Sequence, residues 1–140
     1  MASKHGIERG HTFRPKFDDN GLITAVAQDA ETDQILMVAY MNRRALNLTI
    51  KTGYATYFSR SRRKLWKKGE ESGHLQKVRQ ILVDCDQDCL ILKVTVDAGQ
   101  CHVGYQSCFY RALKKRTSSQ LKFVASKVYD PEKAYETERK

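Results

Sequence analysis

At 140 residues, with 41% hydrophobic residues, 29% charged residues and two prolines, the chain has the size and composition of one globular domain, which excludes a disordered, collagen-like or two-core protein. No run approaches the roughly 18 apolar residues that span a bilayer, and the start MASKHGIERGHTFRPKF has no apolar segment of the kind that directs secretion, so a cytoplasmic protein with no membrane partner is expected. The formal charge is +9, and Arg60, Arg62, Arg63, Lys64, Lys67 and Lys68 place six positive charges within nine residues, which points to a local anion site.

Residues 1–16 read as an N-terminal extension to a domain over 17–117. LITAVAQ (22–28) and QILMVAYM (34–41) are apolar runs separated by the polar DAETD, the pattern of two strands joined by a turn. Asn42 stands where it would cap a helix through RRALNLTIKT, with Leu46 and Ile50 one turn apart on the buried face and Gly53 as the stop. ATYFSR (55–60) has β-type composition and leads into SRRKLWKKGEESGH, whose charges and glycines predict a functional loop and not a core element. VRQILVD and LILKVTV (90–96) read as two more strands, with Leu90, Leu92, Val94 and Val96 on one face of the second and Lys93 and Thr95 on the other. The chain then turns at DAG, passes CHVGYQSCF and ends in a charged tail over 118–140, where PEKAYETERK reads as a helix or a frayed end. There are no internal repeats, and the pattern predicts a β-rich α+β domain.

VDCDQDC (83–89) interleaves hard and soft metal ligands. On a straight strand Asp84, Asp86 and Asp88 would face one way, and Cys85, Gln87 and Cys89 the other. At ~3.3 Å per residue Asp84 and Asp88 would then stand about 13 Å apart, too far to share a cation with ligand distances of roughly 2.0–2.6 Å, so a bend or bulge is predicted. An oxygen-only cluster suits a hard cation such as Mg²⁺, and the bland alternative is an acidic loop facing solvent. An EF-hand is excluded, because Cys89 occupies the position of the turn glycine and Thr95 that of the terminal glutamate.

Cys85, Cys101 and Cys108 lie on separate segments and form no CxxC knuckle, and in a reducing compartment such thiols point to metal binding or catalysis more than to disulfides. Three thiolates with an open fourth position fit a catalytic zinc; a structural site completed by His102 or His74 is the competing reading. In the basic stretch the arginines and lysines suit phosphate, Ser59 and Ser61 add donors, and Trp66 offers a flat face to a base, whereas the ordinary reading of such a stretch is a solvated charge run.

Taken together, SRSRRKLWKKGEESGHLQ, DCDQD and CHVGYQSCF, in that order and spacing, resemble the phosphoribosyl-AMP cyclohydrolase family from about Phe17 to Leu113. The resemblance implies hydrolysis of the N1–C6 bond of the adenine ring of 1-(5-phosphoribosyl)-AMP, a ring opening in histidine biosynthesis. It implies Zn²⁺ on Cys85, Cys101 and Cys108, and Mg²⁺ on Asp84, Asp86 and Asp88. It also implies a curved or pseudo-barrel sheet capped by helices in an intertwined homodimer, with Cys85 of one chain meeting Cys101 and Cys108 of the other. Within that reading His102 is the first candidate for proton transfer and His74 the second. Arg60, Arg62, Lys64, Lys67 and Lys68 would grip phosphate, Trp66 would meet the base, and Glu70 would act on a proton or hold Lys68 or Arg62.

The chain departs from the family pattern at Phe58, usually tryptophan, at Val103, commonly threonine, and at Gln100, usually a small residue. Cys89 lies outside the ligand pattern and reads as a small buried residue or an oxidation-prone bystander. The stretch after Leu113 is too short for the pyrophosphohydrolase domain fused to many relatives, so a single step is expected. Two readings of other classes compete: a zinc-stabilised module binding single-stranded nucleic acid through residues 59–74, and a redox-sensing cysteine protein.

Overall fold

The computed structural model describes residues 4–97 and 99–132, and among these no helix is long and apolar enough to cross a membrane. After the short helix α1 (Lys4–Arg9), strand β1 (Ile23–Asp29) alternates buried Ile23, Ala25, Ala27 and Asp29 with half-buried Thr24, Val26 and Gln28. It pairs antiparallel with β2 (Ile35–Met41), with a bulge at Ala27/Gln28, and the Asp29 carboxylate closes the turn between them by accepting the Glu31 N–H at 2.8 Å. The DAETD segment thus turns for the reason its composition suggested.

Helix α2 (Arg43–Thr52) begins at Asn42, whose side chain accepts the Ala45 N–H, and ends at Gly53, which adopts φ 79°. One expectation fails here: Leu46 is buried, but Ile50 is 55% exposed. The buried face runs through Ala45, Leu46 and Thr49, because the Thr49 hydroxyl bridges the Ala45 carbonyl at 2.9 Å and both the Thr56 carbonyl and the Thr56 N–H at 3.1 and 3.0 Å. A threonine that satisfies the start of the next strand sets the helix rotation, and Ile50 turns outward.

The basic segment is also more ordered than a loop. Lys64–Lys67 forms β4, antiparallel to β3 (Thr56–Ser59), with Tyr57 opposite Trp66 and Phe58 opposite Leu65. The Tyr57 and Trp66 ring centroids are 5.0 Å apart, so an aromatic cross-strand pair organises a stretch whose charges disguise it.

Strands β5 (Lys77–Val83) and β6 (Cys89–Thr95) form a hairpin, and β6 runs parallel to β1, giving an open mixed sheet in the order β2-β1-β6-β5. Leu90, Leu92 and Val94 face the core as expected, and Val96 packs at its margin. They meet Ile23, Leu36 and Met41 from the sheet, Ala45 and Leu46 from α2, and Ala55 and Tyr57 from around β3. The fold is α+β, and no sheet among the described residues closes into a barrel. A last hairpin, β7 (Arg111–Leu113) with β8 (Leu121–Phe123), was not expected, its strands being only three residues each. PEKAYETERK lies almost wholly outside the described residues.

A polar chain crosses this core. The Tyr57 hydroxyl donates to Gln76 Oε1 at 2.6 Å, Gln76 Nε2 donates to Gln100 Oε1 at 2.9 Å, and Lys68 Nζ donates to the Gln100 carbonyl at 2.8 Å. Tyr57 and Gln76 have no solvent exposure, and burial raises the Tyr57 pKa, which keeps the hydroxyl a donor. Gln76→Leu removes the acceptor of Tyr57 and a donor to Gln100, and is expected to cost about 1–3 kcal/mol by urea denaturation. A loss below about 0.5 kcal/mol would show that the chain of bonds does not hold the core together.

Candidate functional site

The aspartates meet because residues 84–88 are the turn of the β5–β6 hairpin, a sharper change of direction than the expected bend. The Asp84 N–H donates to the Cys89 carbonyl at 3.2 Å and the Gln87 N–H to the Asp84 carbonyl at 3.1 Å, while Gln87 adopts φ 60°. Asp84 Oδ1 then accepts the N–H groups of Asp88 and Cys89 at 2.9 and 3.1 Å. One ligand oxygen from each of the exposed Asp84, Asp86 and Asp88 lies within 4.8 Å of the others. Slight desolvation opposes it, but hydrogen bonds from Asp88, Asp86 and the two N–H groups hold the Asp84 pKa below the usual carboxylate value. Hydrogen bonding to Asp84 and Asp86, together with their negative charge, pushes Asp88 up to about 6. Asp88 therefore keeps its proton to a higher pH than an ordinary carboxylate, and the set fits a hard divalent ion.

Gln87 points the other way, into the protein. Its side-chain oxygen accepts the Arg14 N–H at 2.6 Å, its amide donates to the carbonyls of Ile7 and Thr12 at 3.2 and 3.3 Å, and its own carbonyl accepts the Lys16 N–H at 2.7 Å. The N-terminal segment is therefore tied under the aspartate turn. Cys85 is exposed on this turn and borders a cavity of about 280 Å³ with Ile7, Glu8, His11 and Val83.

Cys101 begins a second tight turn. Its N–H donates to the Tyr105 carbonyl at 3.0 Å, its carbonyl accepts the Gly104 N–H at 2.9 Å, and the Gln100 N–H meets the Gln106 carbonyl at 3.1 Å. The Ser107 hydroxyl, donating to the Ile35 carbonyl at 2.6 Å, and the Cys108 N–H, donating to the Leu36 carbonyl at 2.7 Å, pin the return of the turn to β2. Cys101 is buried and Cys108 is exposed as a residue, yet desolvation of the Cys108 thiol and the adjacent Cys101 thiol push it up to about 11, against the attraction of Lys68. Burial lowers the Lys68 pKa, and the two sulfurs oppose that shift. Two soft ligands and a cation thus share one corner. Among the described residues Cys85 does not join Cys101 and Cys108 in a cluster of ligand spacing.

Beside the thiols lies a cleft of about 290 Å³, lined by Arg62, Lys64, Trp66, Lys67, Lys68 and Glu70 with His102 and Cys108. Its wall folds back at Gly69, at φ 85°, where an added Cβ would come within 2.4 Å of the His74 carbonyl carbon and the Leu75 nitrogen. Lys68 is turned inward to the Gln100 carbonyl, and Lys67 lies with its ammonium 4.9 Å from the Tyr54 ring centre. Trp66 is half-buried against Tyr57 and also borders the cleft. Arg60 and His74 are outside this lining: the Arg60 guanidinium sits 4.1 Å over the Tyr40 ring, and His74 packs edge-on against Tyr129 at 4.7 Å. Cys89 is half-buried.

The family model described as phosphoribosyl-AMP cyclohydrolase matches residues 37–110, which hold both turns and the whole cleft lining. The chain belongs to the phosphoribosyl-AMP cyclohydrolase family. It is 56% identical over 86% of its length to the phosphoribosyl-AMP cyclohydrolase of Methanococcoides burtonii, covering 94% of that protein. The protein of the same name from Caulobacter vibrioides strain NA1000 is 57% identical over 80% of this chain and 82% of its own. The one from Methanothermobacter thermautotrophicus is 54% identical over 96% of this chain and 97% of its own.

Several residues that shape the site of this family member escaped sequence reasoning: Gln87, Gln76 and Tyr129 carry no ligand chemistry and act through contacts distant in sequence. Gln100 was visible only as a departure from the pattern. The aspartate turn yields a direct prediction. Added Mg²⁺ is expected to raise the melting temperature of the wild type by mass action, whereas Asp86→Asn is expected to melt higher than wild type in cation-free buffer and to ignore Mg²⁺. Differential scanning calorimetry with and without Mg²⁺ reads both. Wild-type protein insensitive to divalent cations would mark the turn as an acidic surface loop.

Proposed function

We propose that this chain is a phosphoribosyl-AMP cyclohydrolase of histidine biosynthesis, an enzyme that adds water across the N1–C6 bond of the adenine ring of 1-(5-phosphoribosyl)-AMP. The observation that carries this is the identity of more than half over most of the chain with proteins of that name, joined to a cleft in which basic side chains, Trp66 and His102 surround Cys108. The substrate is a small nucleotide. Free Cys85, Cys89, Cys101 and Cys108 suit a cytoplasmic enzyme.

Cys101 and Cys108 would hold Zn²⁺ with Cys85 of the partner subunit, and Asp84, Asp86 and Asp88 would hold Mg²⁺. Zinc so held supplies a Lewis acid that brings the pKa of water to about 7, and Mg²⁺ supplies charge for phosphate. The remaining work falls to the chain itself. Arg62, Lys64 and Lys67 at the cleft bind phosphate oxygens, and Trp66 offers its edge or face to the purine. Oxygen from water joins C6, the C6–N1 bond breaks, and N1 takes a proton. His102, exposed in the cleft and next to Cys101, is placed to manage that proton, with His74 behind the loop as the second candidate. Glu70 lines the same cleft and balances its cations. Arg60, stacked on Tyr40, stands outside the cleft lining with its guanidinium edge available to phosphate.

The homodimer belongs to this reading. Cys85 stands apart from the other two cysteines in one chain, and it follows the strand end Leu82 and Val83, which are 38% and 43% exposed. Phe109 beside Cys108 is 56% exposed. Two chains that bury these surfaces together would bring the third thiol to the pair, and the pseudo-barrel arrangement is a property of that pairing.

Ring opening of synthetic phosphoribosyl-AMP, followed by absorbance, is expected to disappear on chelation and return with zinc. Cys101→Ser is expected to lose at least about 100-fold in kcat. Absence of turnover in zinc- and magnesium-supplied wild type would overturn the activity. Cys85→Ser and Cys101→Ser, each inactive alone, are expected to regain about a quarter of wild-type rate when refolded together, because half of the randomly paired dimers recover one of two sites. No recovery would overturn the shared site.

A further inference from the structure

Residues 127–131 lie beyond the stretch that matches the family, in a tail whose sequence carries no evident chemistry, yet they are laid across the cysteine turn. The Val128 and Tyr129 N–H groups both donate to the Gly104 carbonyl, at 2.8 and 3.3 Å. The Tyr129 hydroxyl donates to the Cys101 carbonyl, which also accepts the Gly104 N–H. The Tyr129 ring meets the His74 ring edge-on, at 4.7 Å and 88°. One tail residue therefore touches both the turn that carries Cys101 and His102 and the loop that carries the second candidate histidine.

The turn is shaped to receive this strap. A Cβ on Gly99 would stand 2.6 Å from Val128 Cγ2 and 2.8 Å from Tyr129 Cδ1, and one on Gly104 would stand 2.7 Å from the Tyr129 carbonyl oxygen. Gly104 also adopts φ +109°, a conformation side chains disfavour. Glycines on both sides of Cys101 are thus required by the same five residues. A tail lying loosely on the surface would need neither.

We propose that Tyr129 is a positioning residue for the candidate site: its hydroxyl fixes the Cys101–His102 peptide, its ring buttresses His74, and the C-terminal strap is thereby part of the working enzyme. The Cys101 carbonyl belongs to the peptide whose nitrogen is that of His102, so rotating it swings the cleft-facing imidazole and the buried sulfur together. Removing the hydroxyl leaves the Cys101 carbonyl held by the Gly104 N–H alone, while the strap keeps its two backbone bonds to the Gly104 carbonyl. The effect on turnover rests on the proposed activity; the effect on the turn does not.

Three proteins test this: Tyr129→Phe, which keeps the ring and loses the hydroxyl, Tyr129→Ala, which loses both, and the chain ended at residue 126. In reduced, metal-free protein, peptide-resolved alkylation by N-ethylmaleimide is expected to label Cys101 about tenfold faster in Tyr129→Phe, with Cys89 unchanged as internal reference. In the zinc-loaded enzyme the same variant is expected to release zinc to a chelator roughly 10-fold more readily and to lose kcat by a similar factor, with KM within about twofold of wild type. Tyr129→Ala is expected to add a further loss of kcat, because the His74 ring also loses its edge-on partner. Wild-type alkylation of Cys101 in both Tyr129→Phe and the shortened chain would overturn the proposal, whatever the turnover. Altered Cys101 reactivity in a protein without cyclohydrolase activity would keep the strap and reject the activity.

Discussion

Gln76 is a side chain with no contact with water that must satisfy three neighbours at once: the Tyr57 hydroxyl, the Gln100 side chain and the Met37 sulfur. In a low-dielectric interior each of those bonds is worth keeping, because breaking one leaves a polar group stranded at a cost of about 1–3 kcal/mol. The geometry is therefore over-determined, and it reaches the chemistry directly. Gln100 is the residue before Cys101, so the amide that braces β3 also fixes where the cysteine turn departs from the core. Lys68 completes the arrangement. A lysine in this place needs an acceptor, which the Gln100 carbonyl supplies, and the Cys108 and Cys101 sulfurs oppose the lowering of its pKa by burial.

From that anchor the two ligand sets follow different rules. The aspartates are exposed on a hairpin turn, where a hard cation would keep part of its water. The thiols are drawn inward, one buried and one with its sulfur desolvated, where a softer ion would trade water for sulfur. Both kinds of side chain share one turn that Gln87 and the N-terminal segment hold from beneath, with Cys85 exposed.

What could be read in advance depended on how local the determining contacts are. The ends of α2 were legible, since Asn42 and Gly53 cap it through their own nearest turns. So was the inward face of β6, because alternation needs no knowledge of the partner strand. The outward turn of Ile50 was not legible, because it follows from a threonine bonding to the next strand. Strand β4 was hidden by its lysines, whose charged ends leave Leu65 and Trp66 free to pack. The convergence of the aspartates was foreseen as a need for bending, but the means, a turn locked by Asp84 itself, was not. The strap was beyond reach, since Val128 and Tyr129 have meaning only against glycines at 99 and 104.

The central claim is that Cys101 and Cys108 are two-thirds of a metal site completed by another copy of the chain. Anomalous diffraction at the zinc edge from crystals of the zinc-loaded protein tests it most directly. One peak per chain, about 2.3 Å from the sulfurs of Cys101, Cys108 and Cys85 of the partner subunit, is the predicted result. A peak that excludes Cys85, a peak holding Cys85 of the same chain, or none at the cysteine pair would contradict it.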